Sequence, residues 1–188
     1  MKGDFNMKHE LITLKEYNAL PTDMQITIQN SKSILRVKYV DPDFPTLHIE
    51  EKGNWIDLKC IEDYTLKAGE SAFINLGVAM KPPIGYEAHL APRSGTFRKY
   101  GLLQSNGVGV IDDSYSGNDD IWMMPVYATQ DTVIKKGERL CQFRLFPTME
   151  TMFSGNSTFM PFNHCMLTIV EVEKLDDTNR GGFGSSGR

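Results

Sequence analysis

From Ile34 onward, apolar and polar residues alternate along much of the chain, with the two-residue period of a strand that buries one face. In "ILRVKYV", Leu35, Val37 and Tyr39 fall on one face and Arg36 and Lys38 on the other. "GYEAHLA" sets Tyr86, Ala88 and Leu90 against Glu87 and His89. "RLCQFRLF" sets Cys141, Phe143 and Leu145 against Gln142 and Arg144. Turn-forming clusters ("DPDFP", "KAGE", "KPPIG", "KKGE") separate such runs. Many short strands at close spacing, with no long amphipathic helix between them, predict an all-β sandwich or barrel.

Before Ile34 the pattern is mixed and polar. Leu11, Leu14 and Asn18 allow at most one short helix ahead of Pro21. The expected organisation is an N-terminal extension over 1–32 without an assigned role, then a β domain over 33–177. A loop-like insertion at 148–164 interrupts that domain, and a Gly/Ser-rich tail over 178–188 is expected to be mobile in isolation.

Composition narrows the class. The 188 residues suit one domain, and the net charge is −4. No run approaches the roughly 18 apolar residues of a membrane span, and "MKGDFNMKHE" lacks the apolar core of a signal peptide. Cys60, Cys141 and Cys165 are odd in number and widely spaced, forming neither a zinc pattern nor a disulfide framework, so a reducing cytoplasm is expected. Mild acidity argues against nucleic-acid binding. It leaves room for an anionic small molecule in a locally basic pocket.

Four stretches carry chemistry. "APRSG" follows an alternating strand, so Arg93 and Ser94 sit at a strand end; Arg offers a planar fork of donors suited to phosphate, and Gly95 permits close backbone approach. Alone it reads as an ordinary turn with a surface Arg. "NGVGVIDDSYSGNDD" places Asp112 at the end of a small apolar run, where a carboxylate can take a proton from a water held near an electrophile. An EF-hand reading of this stretch fails, because the twelfth position holds Met123 instead of Glu. Asp119 and Asp120 read as solvated. Gln142 stands on the polar face of its strand. "RGGFG" joins Arg180, an aromatic Phe183 and glycines in a segment able to close over a base and phosphates.

In their order along the chain, "GNWIDL", "APRSG", "NGVGVID…Y.G", "GERLCQ" and "GGFGSSG" resemble one family, the homotrimeric dUTP diphosphatases, or dUTPases. The resemblance runs from about Ile34 to Gly187. It implies a jelly-roll-like β-clip fold, a homotrimer with interfacial active sites, and a tail exchanged over a neighbouring site. It also implies hydrolysis of dUTP to dUMP and pyrophosphate with Mg2+.

On the same resemblance, Asp112 is the catalytic base. Arg93, Ser94, Gly95, Gln142, Arg180, Ser185 and Ser186 bind the phosphates. Asn106, Gly109 and Val110 belong to the hairpin that reads uracil, Tyr115 lies under the deoxyribose, and Phe183 stacks on the base. Asp57 stands near the metal's water shell. Three departures from the family pattern stand out. Ser114 takes the place of an aspartate, Trp55 and Ile56 precede Asp57 in place of Gly-Tyr, and Arg180 lies only three residues before Phe183. Two other functions compete. A dCTP deaminase would need an acid facing the base, and "IWMMPVY" has none from Ile121 to Tyr127. A regulatory nucleotide-dependent binder could use the extension and the insertion as an interface.

Overall fold

The computed structural model describes residues 10–30, 34–50, 53–153 and 167–182. Within them the chain opens with β1 (Glu10–Ile12), α1 (Leu14–Asn18) and α2 (Thr22–Asn30), followed by β2 (Ile34–Tyr39), β3 (Leu47–Ile49), β4 (Ile56–Lys59) and β5 (Tyr64–Leu66). Next come β6 (Ser71–Asn75), β7 (Val78–Lys81), β8 (Tyr86–Pro92), α3 (Thr96–Tyr100), β9 (Leu102–Gln104) and β10 (Gly109–Ile111). The last elements are β11 (Met123–Ala128), β12 (Thr132–Ile134), β13 (Arg139–Pro147), α4 (Met149–Phe153) and β14 (Thr168–Glu171).

The strands form an all-β body of four small sheets. Their orders are β1-β14-β2-β7, β10-β8-β13-β4-β3, β6-β11-β9 and β12-β5. The long pair β8 and β13 stands at the centre of the five-stranded sheet. Inner faces of the sheets meet in one core that includes Leu35, Val37, Leu58, Ile74, Leu90 and Phe143. Trp122 packs edge-on against Phe143 with ring centroids 5.2 Å apart. Each large side chain so buried contributes about 1.5–3 kcal/mol.

The three alternating runs become β2, β8 and β13 with their apolar faces inward, as expected. Arg36 departs from its pattern: it is only 6% exposed. The reason is a second, smaller cluster of Tyr17, Ile34, Ala79, Val170, Val172 and Leu175, which covers the other side of this sheet.

Part of that cover comes from the N-terminal segment. β1 runs parallel to β14, and Tyr17 of α1 is buried. Thr13 and Glu16 cap α1 reciprocally. The sequence suggested no helix after Pro21, because "TDMQITIQN" is rich in β-branched residues and has no clear apolar stripe. α2 nevertheless starts there, with the Gln25 N–H bonded to the Pro21 carbonyl at 3.0 Å. The start of the insertion is likewise helical, as α4.

Candidate active site

Pairing of β4, β13 and β8 brings one group of predicted residues together. Register sets Gln142 opposite Asp57 on one side and opposite Ala91 on the other. Arg93 follows directly after β8, and its N–H donates to the Leu140 carbonyl at 3.1 Å, pinning the turn to β13. The Arg93 Nε lies 2.9 Å from Asp57 Oδ2, and Arg139 Nη1 reaches the same oxygen at 3.1 Å. Arg139 also pairs with Glu50.

Asp57 is 2% exposed. Burial pushes its carboxyl above the usual range, and the Arg93 and Arg139 charges pull it back without cancelling that effect. Asp57 therefore works as a buried post that aims two guanidinium groups. They line a cleft of about 500 Å³ together with Gly95 and Arg98. Ser94 is exposed beside it. A Cβ added at Gly95 would meet nothing within 4 Å, so no protein atom demands glycine there. Gln142 Nε2 points to the Pro92 carbonyl at 3.4 Å.

The second group lies on the turn after β10. Asp112 is exposed, and its Oδ1 accepts from the Ser114 N–H at 2.9 Å and from the Ser114 hydroxyl. Arg180 Nη1 stands 3.2 Å from the same oxygen. The Ser114 hydrogen bonds, side chain first, hold the Asp112 carboxyl below the usual range, with the Arg180 charge adding to them. Asp113 moves the other way, raised by burial and then by its neighbour Asp112. Of the pair, Asp112 is the one that keeps its negative charge to lower pH.

Tyr115 is half-buried, and its hydroxyl donates to the Ile121 carbonyl at 3.0 Å. Asn106 lies in the turn between β9 and β10, where its Oδ1 accepts from Gln104 Nε2 at 3.0 Å; the two strands are not the expected hairpin, because β9 pairs with β11 and β10 with β8. Gly109 is buried, and a Cβ there would press on Leu90 at 3.1 Å; Val110 is 62% exposed. Phe183, Ser185 and Ser186 lie outside the described residues.

β8 separates the two groups. Ile111 pairs with Ala88 near one end, while Arg93 leaves the other end. At about 3.3 Å per residue, Asp112 and Arg93 of one chain stand about 20 Å apart.

Several residues of the site had no signal in the sequence. Arg139 looked like one more strand residue. Asp120 read as solvated, yet it is 1% exposed and accepts from the N–H groups of Gly117, Arg180 and Gly181 at 2.9, 2.8 and 2.8 Å. Among the described residues, no group of three or more His, Cys, Asp or Glu side chains is arranged to hold a metal. No described helix is long and apolar enough to cross a membrane.

A model of the dUTPase family matches residues 50–187. The chain belongs to the dUTPase family. It is 42% identical over 153 residues to the SPbeta prophage-derived deoxyuridine 5'-triphosphate nucleotidohydrolase of Bacillus subtilis, a match covering 81% of this chain and 97% of that protein. The dUTPase of Streptococcus mutans superposes with a TM-score of 0.53 at 28% identity, over 59% of this chain and 91% of that one. A mutant dUTPase from phage phi11 of S. aureus, which coordinates a structural Mg(II) ion, gives 0.53 at 21% identity over 61% and 90%. The fold is thus the jelly-roll-like β-clip of dUTPases. The deaminase alternative is not favoured, and β11, from Met123 to Ala128, offers no acid for it.

Proposed function

We propose that this dUTPase-family chain hydrolyses dUTP to dUMP and pyrophosphate at sites shared between the copies of a homotrimer. One observation carries the reading: an exposed, ionised carboxylate and a braced pair of arginines stand at opposite ends of β8. A general base must lie within hydrogen-bond reach of the water it activates. Groups about 20 Å apart cannot serve one triphosphate, so Asp112 of one copy meets Arg93, Arg139 and Gln142 of another.

At such a site Asp112 takes a proton from a water. The water oxygen bonds to the α-phosphorus, and the α–β bridging oxygen leaves with pyrophosphate. Arg93 and Arg139 offset the charge that builds on the phosphates. Ser94 and the open backbone at Gly95 complete the grip. Asn106, Gly109 and Val110 read uracil, and Tyr115 packs under a sugar that lacks a 2′-hydroxyl. Phe183, Ser185 and Ser186 complete the site from the tail.

Mg2+ suits these residues, because it binds chiefly through phosphates and water and needs no carboxylate cage. Asp57, which both guanidinium groups contact through Oδ2, would be the carboxylate near the metal's water shell. When bound, the ion supplies further charge neutralisation at the phosphates. The free, buried thiols Cys60 and Cys141 support a cytoplasmic location.

Pyrophosphate release from dUTP, measured beside dTTP, UTP and dCTP, tests base, sugar and reaction together. Turnover is expected with dUTP alone. Asp112→Asn is expected to lower kcat by about 10²–10⁴-fold while nucleotide binding persists. Retained turnover in that variant would remove Asp112 from the base role.

A further inference from the structure

We infer that Gln104 is a positioning residue for base selection: it locks the Asn106 amide with its donors outward, so that the turn after β9 accepts a base bearing a carbonyl and refuses one bearing an amine at the same place. The inference rests on the reading above, in which this turn meets the base, and adds the residue that sets its hydrogen-bond sense.

Gln104 ends β9 and is only 9% exposed. Its Nε2 donates both to the Leu90 carbonyl of β8, at 3.1 Å, and to Asn106 Oδ1, at 3.0 Å. A backbone carbonyl can only accept. Leu90 therefore draws the amino end of the Gln104 amide toward itself, and the second N–H of that nitrogen needs an acceptor of its own. Asn106 Oδ1 is that acceptor, so the amino group of Asn106 faces the other way. Asn106 is exposed, and its Nδ2 makes no hydrogen bond among the described residues.

The backbone of the turn does not need this side chain. The Ser105 N–H donates to the Pro125 carbonyl at 3.0 Å, the Gly107 N–H to the Gln104 carbonyl at 3.2 Å, and the Val108 N–H to the Asn106 carbonyl at 2.7 Å. Packing does not ask for glutamine either. Its Oε1 is buried and takes no donor among the described residues, whereas an apolar side chain of like size would strand no acceptor there. What glutamine adds is direction. Uracil carries a carbonyl oxygen at C4, and cytosine carries an amine. Outward N–H groups donate to the first and meet only donors on the second, and a site left with such a mismatch rejects the wrong base. An Asn106 amide free to turn over would offer its oxygen instead and tolerate both; Gln104 removes that freedom.

Values of kcat/KM for dUTP, dCTP and dTTP, measured on full-length variants, test the relay. Gln104→Met should lower the dUTP-over-dCTP ratio about tenfold, chiefly through KM for dUTP. The dUTP-over-dTTP ratio should hold, because the extra methyl of dTTP makes no hydrogen bond with Asn106. In an Asn106→Ala background, Gln104→Met should move neither ratio further. Should Gln104→Met not fold, Asn106→Asp takes its place: its outward atom is an acceptor, so its dUTP-over-dCTP ratio should fall below that of Asn106→Ala.

An unmoved dUTP-over-dCTP ratio in Gln104→Met, a parallel fall in both ratios, or a loss of Tm alone would reduce Gln104 to a structural residue and overturn the inference. Equal ratios in Asn106→Asp and Asn106→Ala would do the same. A wild-type protein with no preference for dUTP over dCTP would instead sink the reading of this turn as the base site, and the inference with it.

Discussion

Asp112 and Asp113 are chemically identical neighbours that the fold drives apart. Ser114 holds the first in its ionised form, and burial favours the neutral form of the second. Where the resemblance leads one to expect an aspartate, this chain carries Ser114, whose hydrogen bonds hold the proposed base below the usual carboxylate range. A base of depressed pKa is competent above that pKa and is lost only as pH falls through it. The acidic limb of kcat/KM assigned to Asp112 is therefore expected below the ordinary 3.8. Ser114→Ala removes the largest lowering contribution, so the limb should move upward in pH. A limb that stays in place in a pH-rate profile would detach Ser114 from this role.

Asp112, Arg93 and Gln142 were legible in the sequence because strand ends and motif order identify them. Asp120 was not legible. Whether a carboxylate in "NDD" faces water or three amides depends on a tail that lies 60 residues further along the chain.

At the scale of elements, local alternation was enough to find β2, β8 and β13. It could not find β1, whose three residues become a strand only by pairing with β14 at the far end of the chain. The same long-range closure turns an extension of unassigned role into part of the body: Tyr17 fills the second cluster beside Val170 and Leu175. Tyr17→Ala should cost about 3 kcal/mol of unfolding free energy in urea. The activity per folded molecule should hold, since Tyr17 packs in the second cluster, which includes none of the candidate site residues. An unchanged midpoint would mean that the segment only decorates the sheet. The helical start of the insertion was hidden for a similar reason. α4 is anchored by the Thr148 N–H on the Gly85 carbonyl, a contact that no local pattern announces.

For the whole molecule, the expected assembly is three copies of a 21.2 kDa chain, about 64 kDa. Light scattering behind a sizing column should give that mass. On progressive dilution, activity should fall together with it. A monomeric species with full specific activity would end the shared-site account.

The span of β8 has a consequence for regulation. On the shared-site proposal, a single polypeptide carries every group the reaction requires and would nevertheless be inert, because Asp112 and Arg93 stand near opposite ends of β8. Freshly made chains would leave the cell's deoxynucleotides untouched until they met. Turnover should then rise more steeply than chain abundance, giving a threshold set by expression level without any added regulator.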